Sequence, residues 1–122
     1  MMRRIPLLLT ICLLSVSSLY AQKRAFTIED IYRVQTPSDV HVSPDGKSVV
    51  YVLTTSDLPR AKRLSQVWMM DIDGRNARQF TQGEKSSSSP LFSPDGKWVS
   101  FISAKEGSAN LYLMAVAGGG GE

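Results

Sequence analysis

His41 is the one histidine of this 122-residue chain, so any acid–base chemistry in it would turn on that side chain. It alternates with Val40 and Val42 in a strand-like run and therefore points away from their face. No serine and orienting acid are arranged to complete a triad with it. Ser108 follows Gly107, but Asn110 stands where the second glycine of a G-x-S-x-G nucleophile elbow belongs. Asp45 and Asp95 could suggest a hard-cation site, which needs several convergent oxygens. Both fall in the same five-residue turn, fifty positions apart, and that recurrence argues for turn chemistry. Trp68 and Tyr112 also recur at one strand position, the pattern of packing between sheets rather than of a binding platform. The pattern predicts no catalytic residue, no cofactor site and no metal site within the chain. The residues singled out are structural: Ser43, Pro44, Asp45 and Gly46, and their counterparts Ser93, Pro94, Asp95 and Gly96.

The first stretch reads as a leader rather than as fold. Arg3 and Arg4 precede an apolar run from Leu7 to Leu19, and Ala21 follows as the residue to be cut after. That order predicts a secretory signal peptide over residues 1–21 and an exported protein, periplasmic or extracellular, that meets the membrane only during export. The run is shorter than the roughly 20 residues a spanning helix needs. Cys12, the single cysteine, lies inside it, and Ile11 before it is not the small residue a lipoprotein signal requires. Beyond the leader no disulfide or thiolate metal site can form. The formal charge of +3 includes Arg3 and Arg4, and without them 12 basic residues face 11 acidic ones. The short cluster of Arg60, Lys62 and Arg63 reads as a solvated loop, and no concentrated basic face for nucleic acid is present.

Local elements must position these residues. Thr27-Ile28-Glu29-Asp30 is a helix start, with Thr27 as cap and Asp30 reaching back. A short helix over about Ile28 to Val34 is expected, docking through Ile28, Ile31 and Tyr32, and Pro37 ends it. Ser43-Pro44-Asp45-Gly46-Lys47 is a turn: Pro44 presets φ, and Gly46 accepts a positive φ. It returns as Ser93-Pro94-Asp95-Gly96-Lys97. β-prone runs come next, Ser48–Leu53 and Trp98–Ser103, then polar loops at 54–65 and 104–109. Gln66–Gly74 then aligns with Asn110–Gly118, and Arg78–Thr81 closes the first unit. Ser86–Ser89 reads as a polar connector.

A period of 44 to 50 residues with four short strands per unit is the signature of a propeller blade. The fold class expected is all-β, a partial β-propeller of about two four-stranded antiparallel blades, preceded by a signal peptide and one short helix. Residues 22–37 form the segment with the helix, 38–83 the first blade and 84–122 an incomplete second blade. Blades bury their faces only against neighbours, and propellers close with about four to eight of them. Further blades downstream are therefore expected, and the glycines at 118–121 fall where a hairpin turn precedes a missing strand.

Phe26-Thr27-Ile28-Glu29-Asp30-Ile31, Pro37-Ser38-Asp39, Ser43–Lys47 and Val50-Tyr51 together resemble the start of exported prolyl oligopeptidase-family serine peptidases, in the acylaminoacyl-peptidase and dipeptidyl-peptidase-like branch. The likeness runs from Phe26 to Gly118. It implies a propeller that gates entry of small peptides to a C-terminal α/β-hydrolase domain whose Ser-Asp-His triad cleaves them. No residue here matches that triad. The turn motif is also shared with the periplasmic propeller of the Tol system, which implies the alternative of a non-enzymatic binding or scaffold protein.

Overall fold

The computed structural model describes residues 24–118. The leader expected at 1–21, with Cys12, and the glycines beyond 118 lie outside them. Helix α1 spans Ile28–Arg33. The Asp30 carboxylate accepts from the Thr27 N–H at 2.9 Å and from the Thr27 hydroxyl at 3.0 Å. That reach-back, with Glu29 beside it, places negative charge at the positive end of the helix. The helix touches strand β2 (Ser48–Asp57), but its docking is shallower than the i, i+3, i+4 pattern predicts. Ile28, Ile31 and Tyr32 all remain exposed.

Seven strands form two antiparallel sheets. Sheet A runs in the order β1 (Thr36–Val42), β2, β3 (Lys62–Asp71), β4 (Arg78–Gln79). Sheet B runs β5 (Ser87–Phe92), β6 (Trp98–Ser103), β7 (Asn110–Ala115), and a 3-10 turn follows at Val116–Gly118. Each sheet is a meander, so every strand pairs with its sequence neighbour through a short turn. The paired strands alternate faces with period two. Val50 sits opposite Met69 and Val52 opposite Val67, which puts all four on one face of sheet A. In sheet B, Val99 sits opposite Met114 and Phe101 opposite Tyr112. These two faces meet. The core is Val50, Val52, Val67, Met69, Phe80, Val99 and Phe101, with Phe92, Tyr112, Met114 and Val116 packed against it. The chain is therefore all-β, with two propeller-type sheets stacked face to face.

Three expectations change in detail. The polar loop expected at 54–65 is a hairpin instead. β2 and β3 pair without a break from Ser48 opposite Asp71 to Asp57 opposite Lys62. β-branched Thr54 and Thr55 keep the strand extended, and the Thr54 and Ser65 hydroxyls bond across it at 2.8 Å. Only residues 58–61 turn, with Ala61 N–H donating to the Leu58 carbonyl at 3.1 Å. Lys62 and Arg63 thus belong to β3, and Arg60 sits in the turn beside Asp57 at 3.7 Å. The closing strand shrinks to Arg78–Gln79. The serine connector is mostly strand: Ser87 to Ser89 open β5, and Ser87 is fully buried. Small side chains let β5 approach sheet A, where it lies against β1, β2 and β3.

Candidate functional site

The two Ser-Pro-Asp-Gly-Lys turns are built alike, bond for bond. In the first, Ser43 N–H donates to the Ser48 carbonyl at 2.8 Å and Gly46 N–H to the Ser43 carbonyl at 2.9 Å. The Asp45 carboxylate accepts from the Ser43 hydroxyl at 2.6 Å and the Lys47 N–H at 3.1 Å. The Ser43 hydroxyl oxygen in turn accepts from the Ser48 N–H at 2.9 Å. The second turn repeats each bond: Ser93 hydroxyl to Asp95 at 2.5 Å, Lys97 N–H to Asp95 at 3.0 Å, and Trp98 N–H to the Ser93 hydroxyl at 3.0 Å. The φ of Gly46 is 69° and of Gly96 is 70°, the left-handed region that only glycine enters without strain. Hydrogen bonds from the serine hydroxyls, then from the lysine N–H groups, hold both carboxyls below their ordinary range. Pro44 and Pro94 occupy the position that presets φ. Asp45 and Asp95 each commit one carboxylate oxygen, Oδ1, to two bonds within their own loop, an arrangement that shapes a hairpin. Among the described residues, no group of three or more His, Cys, Asp or Glu is placed to hold a metal ion.

His41 lies exposed on β1, paired with Val50. Tyr112 and Trp68, equivalent in the repeat, have different surroundings. Tyr112 stacks on Phe101 within the joint between sheets, ring centroids 5.7 Å apart. Trp68 pairs with Tyr51, on the face of sheet A turned away from sheet B.

The joint also holds polar ties that no spacing in the sequence announces. Arg78 reaches from sheet A to donate to the Val116 carbonyl at 2.7 Å, and its guanidinium lies 5.9 Å from the Phe80 ring centroid. Gln66 and Thr81 are buried together. Thr81 donates its hydroxyl to Gln66 at 2.6 Å and accepts from the Val67 N–H at 2.9 Å. The Gln66 amide then donates to the Gly83 and Lys85 carbonyls at 3.0 and 3.1 Å. This network pins the connector between the sheets. The one local hint is Arg78 two residues before Phe80, on the same side of an extended segment.

The model of the TolB beta propeller domain matches residues 13–122. The chain belongs to the TolB beta propeller family. Its relatives include peptidases. It is 34% identical over 98 residues, 80% of its length, to the uncharacterized peptidase YuxL of Bacillus subtilis. It is 32% identical over 74 residues, 61% of its length, to dipeptidyl-peptidase 5 of Porphyromonas gingivalis. The chain spans 15% of the first relative's length and 11% of the second's. Among solved structures it is similar to a TolB-type protein from Agrobacterium tumefaciens, at 30% identity and a TM-score of 0.55, covering 70% of this chain and 28% of that one. This propeller is thus related both to peptidases and to TolB.

Proposed function

We propose that this chain supplies the opening blades of a propeller that restricts substrate entry in an exported serine peptidase acting on small peptides. The observation that carries this reading is the identity with a bacterial peptidase across 80% of the chain. The leader at 1–21 supports export to the periplasm or beyond the cell. The strand layout supports a gating role. β1 is the exposed edge strand of sheet A. Its exposed side chains include Thr36, Ser38, Asp39 and His41 beside Val40 and Val42, a mixed surface that a passing peptide could meet. The partners on this reading are further blades and a C-terminal α/β-hydrolase domain of the same polypeptide, with its own nucleophile, acid and base.

The test is a fluorophosphonate serine-hydrolase probe applied to the full product of the gene. Labelling of a folded product, lost when the serine of a downstream G-x-S-x-G is replaced, supports the peptidase. A folded, full-length product that stays unlabelled removes it. The similarity to a solved TolB-type structure favours a second reading, a propeller that binds or scaffolds other proteins without catalysis. A gene product that closes its propeller, carries no hydrolase domain and takes no label selects that reading.

A further inference from the structure

The two ends of the sheets differ. Both Ser-Pro-Asp-Gly-Lys turns lie at one end, where Arg78 of sheet A bonds the Val116 carbonyl just beyond β7. The tip of the β2–β3 hairpin and the link at 104–109 lie toward the other, the side on which the Ser65 N–H donates to the Ser86 hydroxyl at 3.1 Å. Blades stack through their sheet faces around a channel, so strand ends and turns make up the two ends of the ring. Further blades of the same polypeptide take the open sheet faces. A domain that covers the channel must sit on one of the ends.

The tip end of the first blade is built out, and that of the second is not. β2 and β3 run ten residues each, against six in β6 and β7. Thr55–Asp57 and Lys62–Leu64 run past the start of β1, where Thr36 sits opposite Thr54. None of these residues is buried, so the extension adds nothing to the core between the sheets. Instead α1 lies beside it, and Phe26, Ile31, Tyr32 and Val34 line a groove with Ser56 and Arg63. Tyr32 also lines the adjoining hollow that reaches Leu58 at the hairpin tip. Phe26 is 73% exposed, Val34 56% and Ile31 55%. Ordering this bracket costs conformational entropy that its shallow contact with β2 does little to offset. An apolar patch of this kind marks an interaction surface. At the turn end, Val42, Leu91 and Trp98 belong to the open sheet faces, which leaves Ile72 as the exposed large apolar side chain there. Charge also distinguishes the bracket. Asp30 holds Arg24 and Arg33, and Asp57 holds Arg60. Lys62 and Arg63 carry no ion pair among the described residues.

We propose that the bracket of α1 and the β2–β3 tip is the seat of the C-terminal hydrolase domain, which meets it with an apolar patch carrying carboxylates for Lys62 and Arg63. This rests on the peptidase reading and adds to it which end of the ring faces the catalytic domain. The Bacillus peptidase is long enough to hold such a domain, since this chain spans 15% of its length.

The test uses the full product of the gene. A zero-length carbodiimide cross-linker joins amines to carboxylates in contact, and mass spectrometry reads the pairs. Lys62 is expected to link to acidic residues of the hydrolase domain, whereas Lys47 and Lys97 of the turn end are not. Phe26→Ser with Ile31→Ser removes the apolar half of the seat and should abolish the link, while Ile72→Ser leaves it. Far-UV circular dichroism confirms the sheets in each variant, and Ile31→Ser alone replaces the double variant if that loses them. Links from Lys47 or Lys97 to the hydrolase domain, with none from Lys62, overturn the proposal. So does a Lys62 link that survives loss of the apolar side chains. The two readings fail separately. A product that takes the fluorophosphonate probe but links through the turn end keeps the peptidase and removes this seat. One that carries no hydrolase domain and takes no label removes both.

Discussion

The two sheets share a turn and differ in the strands it leads into. In sheet A, β2 and β3 run ten residues each and end in a tight turn. In sheet B, β6 and β7 run six, and residues 104–109 form the link. Both begin from the same Ser-Pro-Asp-Gly-Lys hydrogen bonds, so the turn sets register at the near end of the hairpin and leaves the far end free to vary. The faces contrast more deeply. Equivalent positions Tyr51 and Phe101 have different fates: Phe101 is 1% exposed in the joint, whereas Tyr51 is half-buried on a face without a described sheet against it. Position in the repeat determines which strand a residue occupies, and the neighbouring sheet determines what its burial contributes.

The largest effect that sharpens this contrast is expected at Phe101. Phe101→Ala removes a ring stacked on Tyr112 and should cost about 3–5 kcal/mol, read as a fall in the urea midpoint. Tyr51→Ala should cost distinctly less, and equal losses would break the asymmetry between faces. Next is the buried network of the first sheet. Thr81→Val leaves the Val67 N–H without its acceptor and Gln66 without its donor, a loss of about 1–3 kcal/mol. Hydrogen exchange should quicken at the connector around 83–86 before it quickens in sheet B.

Gly46→Ala and Gly96→Ala should then cost the same as each other, about 1–2 kcal/mol, because positive φ is the shared cost. An alanine Cβ meets open space at Gly46 and only ordinary contact with Pro44 at Gly96. A large difference in melting temperature between the two variants would show that the turns are not equivalent. The smallest effect is acid sensitivity. Asp45 and Asp95 have folded pKa values lowered from the ordinary 3.8, so their contribution is present above that value and is lost as pH falls through the lower folded values. Replacing both by Asn should flatten the acid limb of the stability-against-pH curve measured by urea titration, by similar steps for each residue.

Much of this is legible in the chain. The helix start at Thr27, the two turns and the order of the strands rest on contacts within a few residues, and the five-residue identity repeated at 50 positions announces the blades. The bulges are not legible, because Asp39 and Ser89 are neither glycine nor alike, and their positive φ comes from the bend of β1 and β5. The serine run is ambiguous because small polar residues carry the same signal in a connector and in a strand pressed against another sheet. The site divides similarly. The serine, aspartate and glycine of each turn can be assigned from type and spacing. Arg78, Gln66 and Thr81 cannot, since Arg78 reaches Val116, Gln66 reaches Gly83 and Lys85, and Thr81 meets Gln66 and Val67, pairings far apart in sequence.

The sequence by itself determined the two Ser-Pro-Asp-Gly-Lys hairpins, because a turn's hydrogen bonds span five residues and do not depend on the rest of the fold. Only the tertiary structure decided which faces form the joint. Val49 and Val50, or Met69 and Met70, are apolar on both sides of the same sheet, so alternation marks two buriable faces without choosing between them. The choice between those faces came from the second sheet stacking on Val50, Val52, Val67 and Met69.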